Sequence, residues 1–235
     1  VSSPWCFGTG EPGFEYMSLV VQRGFLMNDL SPNSTVSTIA ELEAIYGEPL
    51  AQSLVKEIDY ISDHYRAFIE KSPFMVLASV AEEGLDCSPR GDPAGFVRVV
   101  DKKTVMIPDR RGNNRIDTLR NIVRDPRVSL LFLVPGVGET LRINGRAEIS
   151  VDPELCASFD MNEKTPRSVI IVTADRVYFQ CQKALVRSKL WDPNAQIERK
   201  ELPTSGNILE ALNTDGFDGD AYDKNYPKRL KDTIY

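Results

Sequence analysis

A chain of 235 residues, 42% hydrophobic and 26% charged, has ordinary globular composition and enough apolar material for a sizeable core. Its net charge of −6 excludes a general affinity for nucleic acid or anionic membrane, so an anionic ligand needs a local basic patch. Its single histidine, His64, excludes a multi-histidine metal site within one chain.

No run approaches the roughly 18 apolar residues of a membrane-spanning helix. Val1-Ser2-Ser3-Pro4-Trp5 lacks a basic region followed by an apolar core, so no signal peptide is expected. Cys6, Cys87, Cys156 and Cys181 are widely spaced, with no CxxC pair. They read as free thiols in a reducing, cytoplasmic setting rather than a disulfide framework.

Residues 1–36 are rich in Gly, Pro and Ser, show no period, and read as an extended arm. Within them Gly8-Thr9-Gly10-Glu11-Pro12-Gly13 matches GxGxxG by letter, but a dinucleotide fingerprint must follow a strand and open a helix, and neither pattern is present. Asn33-Ser34-Thr35 is a glycosylation sequon without a secretory context to give it meaning. Thr38 and Glu41 form a capping box that predicts a helix to about Tyr46, ended by Gly47. Leu50, Leu54, Ile58, Ile61, Tyr65 and Phe68 recur at spacings of three and four and predict a second helix over Leu50–Glu70.

From Ser72 the period changes to that of strands. Pro73–Val80, Leu85–Arg90, Phe96–Val100, Thr104–Pro108 and Val128–Val134 are strand-sized, with a helix at Asn114–Arg124. Thr140–Ile149 alternates cleanly, and Gly145 in its middle predicts a bulge or a close backbone approach. A short helix is expected after Asp152-Pro153, a strand over Val169–Cys181, a helix over Gln182–Trp191, and a further short helix near Asn207–Leu212 before a polar end. About six strands joined mostly by short turns, the shortest of these segments being marginal, predict an antiparallel sheet that closes into a six-stranded β-barrel with flanking helices, mainly β in class. The organisation expected is an arm (1–36), a helical lead-in packed on the barrel (37–70), the barrel (71–193) and a tail belonging to the same domain (194–235).

The chemistry concentrates between Cys87 and Arg127. This window holds ten basic and five acidic residues, in a chain that is acidic as a whole. A solvated face of charged pairs is the ordinary reading of such a run. Three features argue for an anion site instead. Pro108-Asp109-Arg110-Arg111-Gly112-Asn113-Asn114-Arg115 joins a strand to a helix, where free N–H groups and a positive dipole end suit a phosphate. Arg90 brings a second cation from a neighbouring strand, as bidentate phosphate contacts require. Thr140 and Arg142 give an otherwise apolar strand a polar side that could meet the hydrogen-bonding edge of a flat ring. Lys183, Arg187 and Trp191 are four apart; as a helical stripe they fit either a lid over an aromatic cofactor or a solvated face. Cys87 and Cys181 read as small residues in buried strands rather than reactive thiols.

Together the segments SPFMVLASV, SPRGDPAGF, IPDRRGNNRIDTLRN, DPRVSLLFLVPGVGETLRINGRAEI and VYFQCQKALVRSKLWDP resemble the FMN-binding split-barrel proteins related to pyridoxamine 5′-phosphate oxidase, over Ser72–Pro193. The chain is most similar to a bacterial subgroup of FMN-dependent enzymes, over about Ser37 to Tyr235. The resemblance implies a six-stranded split barrel, paired as a homodimer with FMN in the groove between copies. It implies phosphate contacts from Arg90, Asn113, Asn114 and Arg115, with Asp109 and Arg110 in the same loop. In the oxidases this turn reads Ser-Arg-Lys; here one cation is missing, and Arg110 or Arg111 is left to replace it. Thr140 falls where an oxidase glutamine meets the ring. Lys183, Arg187, Ser188 and Trp191 fall near the region that closes over the cofactor from the partner subunit. The oxidases' substrate-holding Arg-x-His motif is absent, since no histidine follows His64. The function expected is therefore an FMN-dependent oxidoreductase acting on a small molecule other than pyridoxamine phosphate, with NAD(P)H as a possible donor and neither nucleic acid nor membrane as partner. The rival reading is a non-catalytic flavin or haem carrier or sensor of the same fold.

Overall fold

The computed structural model describes residues 35–82, 84–213 and 215–235. The arm up to residue 34, with its GxGxxG letters and most of its sequon, lies outside them. The chain divides into two compact units, one ending at Leu50 and the other running from Ala51 to Tyr235. The first contains α1 (Ile39–Tyr46). Its capping box is present: Thr38 Oγ1 accepts from the Glu41 N–H at 3.2 Å, and Glu41 Oε2 accepts from the Thr38 N–H at 3.2 Å. Gly47, at φ +67°, ends the helix in a conformation that a side chain would resist.

The second unit opens with α2 (Ala51–Val55) and α3 (Asp63–Lys71). The single helix expected over 50–70 is thus two, and the reason is local. The Ile58 N–H and carbonyl both pair with Val177 at 3.0 and 2.7 Å, which draws that segment into extended backbone. Ser62 then caps a new helix, its Oγ accepting from the Tyr65 N–H. Ile69 on α3 is fully buried.

Seven strands follow: β1 (Phe74–Ala81), β2 (Gly84–Gly91), β3 (Arg98–Val99), β4 (Thr104–Pro108), β5 (Arg127–Leu133), β6 (Thr140–Ser150) and β7 (Val169–Gln180). They form one antiparallel sheet in the order β2-β1-β5-β6-β7-β4-β3. The count exceeds the six expected, and the sheet keeps two edges, β2 and β3, rather than closing. The strand expected over 96–100 shrinks to β3, because Phe96 and Val97 leave the ladder to enter the core, at 7% and 1% exposure.

Alternate residues supply that core: Met75 and Leu77 from β1, Leu130 and Phe132 from β5, Leu141 and Ile143 from β6. Gly145 sits at a register shift between β6 and β7, and a Cβ there would run into the Thr173 backbone carbonyl. Both alternatives read from the sequence hold at once: the position is a bulge and a close backbone approach that excludes any side chain.

Helix α4 (Asp117–Arg124) packs across the sheet through buried Ile122, and Asn121 Nδ2 donates to Ser79 Oγ on β1 at 3.1 Å. It begins three residues later than expected because Asn114 and Ile116 have φ of +62° and +54°, a turn no helix tolerates. Then come α5 (Pro153–Ala157), capped by Asp152, and α6 (Lys183–Ser188). Two single-turn 3-10 segments lead to α7 (Ser205–Leu212) and α8 (Gly219–Thr233). The polar end of the sequence is thus largely helical. Asp218 caps α8 by accepting from the Ala221 N–H at 2.8 Å. Among the described residues no helix is long and apolar enough to cross a membrane.

Candidate functional site

The end of β2, the loop from β4 into α4, and the segment 164–168 before β7 surround a cleft of about 670 Å3. That size suits a cofactor or other small molecule. Its wall carries six cationic side chains (Arg90, Arg110, Arg111, Arg115, Lys164, Arg167) against three acidic ones (Asp86, Asp109, Asp117). The loop starts where β4 ends, and the Asp109 N–H donates to the Ser168 carbonyl at 3.0 Å, which holds the two walls together.

Arg90 donates from Nη1 to Asp109 Oδ1 at 2.5 Å, with the two side chains only 18% and 19% exposed. Its Nε is buried and has no partner among the described residues. A buried guanidinium donor left unpaired is costly, unless a ligand anion takes it. Helix α4 adds to the same wall. Its N-cap residue, Ile116, makes no side-chain cap bond, so the first N–H groups of the helix stay available. Asn113 Oδ1 accepts from the Arg115 N–H at 3.1 Å, and Arg115 Nε donates to Asp117 Oδ2 at 2.8 Å. On β2, Ser88 Oγ and Thr118 Oγ1 lie 3.1 Å apart, and Thr118 Oγ1 donates to Asp86 Oδ2 at 3.2 Å.

The question of which loop cation is free receives a clear answer. Arg110 is committed: Nε donates to Asp92 Oδ2 at 2.6 Å and Nη1 to the Phe159 carbonyl at 2.7 Å. Arg111 is exposed on the cleft wall and is paired with no described residue. Of the two, Arg111 has its charge available to a ligand.

The site residues expected from the sequence therefore fall into two groups. Arg90, Asp109, Arg110, Asn113, Asn114 and Arg115 come together in the cleft. Thr140, Arg142, Lys183, Arg187, Ser188 and Trp191 do not line it. Thr140 is buried at the start of β6, between Leu133 and Gln180. Arg142 reaches across β7, with Nη1 donating to Tyr178 Oη and Nη2 to Gln180 Oε1, both at 2.9 Å. Lys183 and Arg187 are exposed on α6, and Ser188 Oγ donates to the Leu185 carbonyl at 3.1 Å. The single helical stripe expected of Lys183, Arg187 and Trp191 does not form. Lys189 turns left-handed at φ +53° and ends α6 before Trp191, whose Nε1 donates instead to the Val137 carbonyl at 2.8 Å.

Sequence reasoning missed two parts of the cleft. Lys164 and Arg167 flank Pro166 in a segment with no period, and that basic, proline-marked stretch was the available signal. Tyr235 lies 143 positions from its partner, and nothing local announces it: its hydroxyl donates to Asp92 Oδ1 at 2.7 Å. That bond pushes the Tyr235 phenol above its ordinary value, with burial acting in the same direction. His64 is exposed on α3 and absent from the cleft wall. Among the described residues no three His, Cys, Asp or Glu side chains gather as a metal site.

The family model described as pyridoxamine 5′-phosphate oxidase matches residues 61–181, just over half of the 235. No curated protein matches the chain. Among solved structures, HupZ of Group A Streptococcus is 20% identical, with a TM-score of 0.40, over 50% of this chain and 91% of that one. General stress protein 26 of Bacillus anthracis is 15% identical, with a TM-score of 0.35, over 48% and 88%. A FAD-binding protein of Mesorhizobium loti is 15% identical, with a TM-score of 0.36, over 51% and 94%.

Proposed function

This chain belongs to the pyridoxamine 5′-phosphate oxidase family, and on that premise we propose that it is a flavoprotein that binds FMN and works as an oxidoreductase on a small molecule. One observation carries the reading. Arg90 Nε is buried without a partner beside an uncapped helix start and a free arginine, Arg111, and together these form a dianion's donor set. The residues present fit the phosphate of FMN: Arg90, Arg111 and the loop Asn113-Asn114-Arg115 would hold it.

Bound FMN supplies acceptance of a hydride from a donor such as NAD(P)H and passage of the two electrons on to a small-molecule acceptor. The protein's own part is to hold and orient. Thr140 and Arg142 are assigned to the polar edge of the ring, where Arg142 tunes its potential. Lys183, Arg187, Ser188 and Trp191 are assigned to closing over the cofactor from a second copy. Within one chain none of these four residues lines the cleft. Their assignment makes the working unit a homodimer. Cys87 and Cys181 are exposed, not buried as read from the sequence, and with buried Cys156 they are free thiols in keeping with a cytoplasmic setting. A haem-carrier reading has less to recommend it, since His64 does not line the cleft.

The test is the visible spectrum of protein purified with FMN, before and after NAD(P)H under anaerobic conditions, together with sedimentation of the same sample. Bound flavin bands that bleach, on a particle of twice the chain mass, are expected. Protein that ignores FMN overturns the reading. Flavin that stays bound but cannot be reduced by any donor leaves a carrier.

A further inference from the structure

Asp92, Arg110 and Tyr235 form a cluster that the cofactor assignment leaves unused. Asp92 lies in the connection after β2 and its side chain is only 1% exposed; Arg110 is 16% exposed. One carboxylate oxygen of Asp92 accepts from Arg110 Nε, and the other accepts from Tyr235 Oη at 2.7 Å. The Arg110 guanidinium also lies 5.8 Å from the centre of the Tyr235 ring. Tyr235 is the single aromatic side chain on the cleft wall among the described residues.

Tyr235 is delivered there by α8. Helices α7 and α8 cross at Gly206 and Gly219, so closely that a Cβ on either would meet the other's backbone carbonyl. The Gly206 N–H also donates to Asp223 Oδ1 at 2.9 Å. The hairpin is therefore a firm carrier, and its Tyr235 is bonded to Asp92, which in turn holds Arg110 at the base of the loop.

We propose that Tyr235 is a positioning residue of the cleft: through Asp92 it fixes Arg110, and with it the loop 109–116 whose donors hold the ligand's phosphate. This rests on the FMN reading for the identity of the ligand, but not for the linkage itself. Arg110 is the central tie of the loop, bonded to Asp92 on one side and to the Phe159 carbonyl on the other. Without the Tyr235 hydroxyl, Asp92 keeps one partner and one unmatched oxygen, and Arg110 loses part of what orients it. The loop's donors would then have to be ordered by the ligand at the expense of affinity.

The experiment is a double-mutant cycle on the full chain, with Tyr235→Phe, Asp92→Asn and the pair, read by FMN titration. Tyr235→Phe keeps the ring and removes only the hydroxyl. The expected result is a loss of FMN affinity of about 5- to 10-fold in each single variant, with the pair no worse than Asp92→Asn alone. Wild-type affinity in Tyr235→Phe, or losses that simply multiply in the pair, would overturn the proposal. Hydrogen exchange of the ligand-free proteins gives a second reading that does not need FMN. Amides of 109–116 should exchange several-fold faster in Tyr235→Phe, and unchanged exchange there would overturn the proposal as well. Wild-type protein that takes no FMN but shows the faster exchange in the variant would defeat the flavin reading while leaving the linkage in place.

Discussion

The cleft wall and the head of β6 were both marked by the same sequence logic, polar residues on a strand–loop framework, yet they end up in opposite states. In the cleft six cations face three carboxylates, and among the described residues Arg90 Nε has no partner, Arg111 is unpaired, and α4 starts without a side-chain cap. At the head of β6 Arg142 is bonded to Tyr178 and Gln180, and Trp191, beyond α6, to the Val137 carbonyl. An unsatisfied set is a site prepared for something outside the chain; a satisfied set must give up bonds to take part. The contrast teaches that charge density alone does not mark a site. What marks it is the donors left over after the fold has used its share.

The largest expected effect falls on the unsatisfied set. Arg90→Ala removes the buried guanidinium and strands Asp109, and should weaken FMN binding on the order of 100-fold, measured by flavin titration. A loss under fivefold would break the comparison. Gly145→Ala tests whether the bulge organises the other set. Its Cβ would strike the Thr173 carbonyl, and the resulting backbone shift should cost about 3 kcal/mol in denaturant unfolding. Arg142→Ala should change FMN affinity by less than about fivefold, since its donors are already engaged, while shifting the potential of the bound flavin in dye-equilibrated reduction. An affinity loss rivalling that of Arg90→Ala would erase the difference between the two regions.

The smallest effect belongs to a pair outside both. Asp125 is held down to about 2, chiefly by hydrogen bonds from the Arg127 side chain and then from its N–H. A depressed carboxyl contributes stability above its unfolded value, and loses it as pH falls through the folded one. The stability gap between wild type and Asp125→Asn should thus persist at pH 4 and close near pH 2, with no change in flavin binding at neutral pH.

Much of the framework was legible because local chemistry and tertiary structure agreed. Thr38 and Glu41 close their box without outside help, Thr104–Pro108 is a strand with the bounds read for it, and Gly145 could be flagged because an alternating strand rarely spends a glycine at its centre. The failures share a cause too. The 3.6-residue period over 50–70 was real, but Val177 lies far away in sequence, and its two backbone bonds to Ile58 broke the helix. Asn114 and Ile116 hold positive φ for which Ile116 in particular carries no sequence sign, and Lys189 ends α6 in the same way. Helix α8 was hidden by its polar surface and by Pro227 in its interior. Of the site, the phosphate-loop group could be found because it is contiguous and basic. Tyr235 could not, since its role exists only where the fold brings it to Asp92.

The open sheet carries its own safeguard. Among the described residues its outer strand β2 pairs with β1 alone, which leaves the opposite rim without a partner strand, the arrangement most prone to recruiting strands from other molecules. Pro89 sits within that strand and has no N–H to offer, which leaves a gap in any ladder an incoming chain would try to build. The residue before the cleft's principal arginine therefore also guards against edge-to-edge aggregation. A change made there to retune the cleft would be felt first as a loss of solubility.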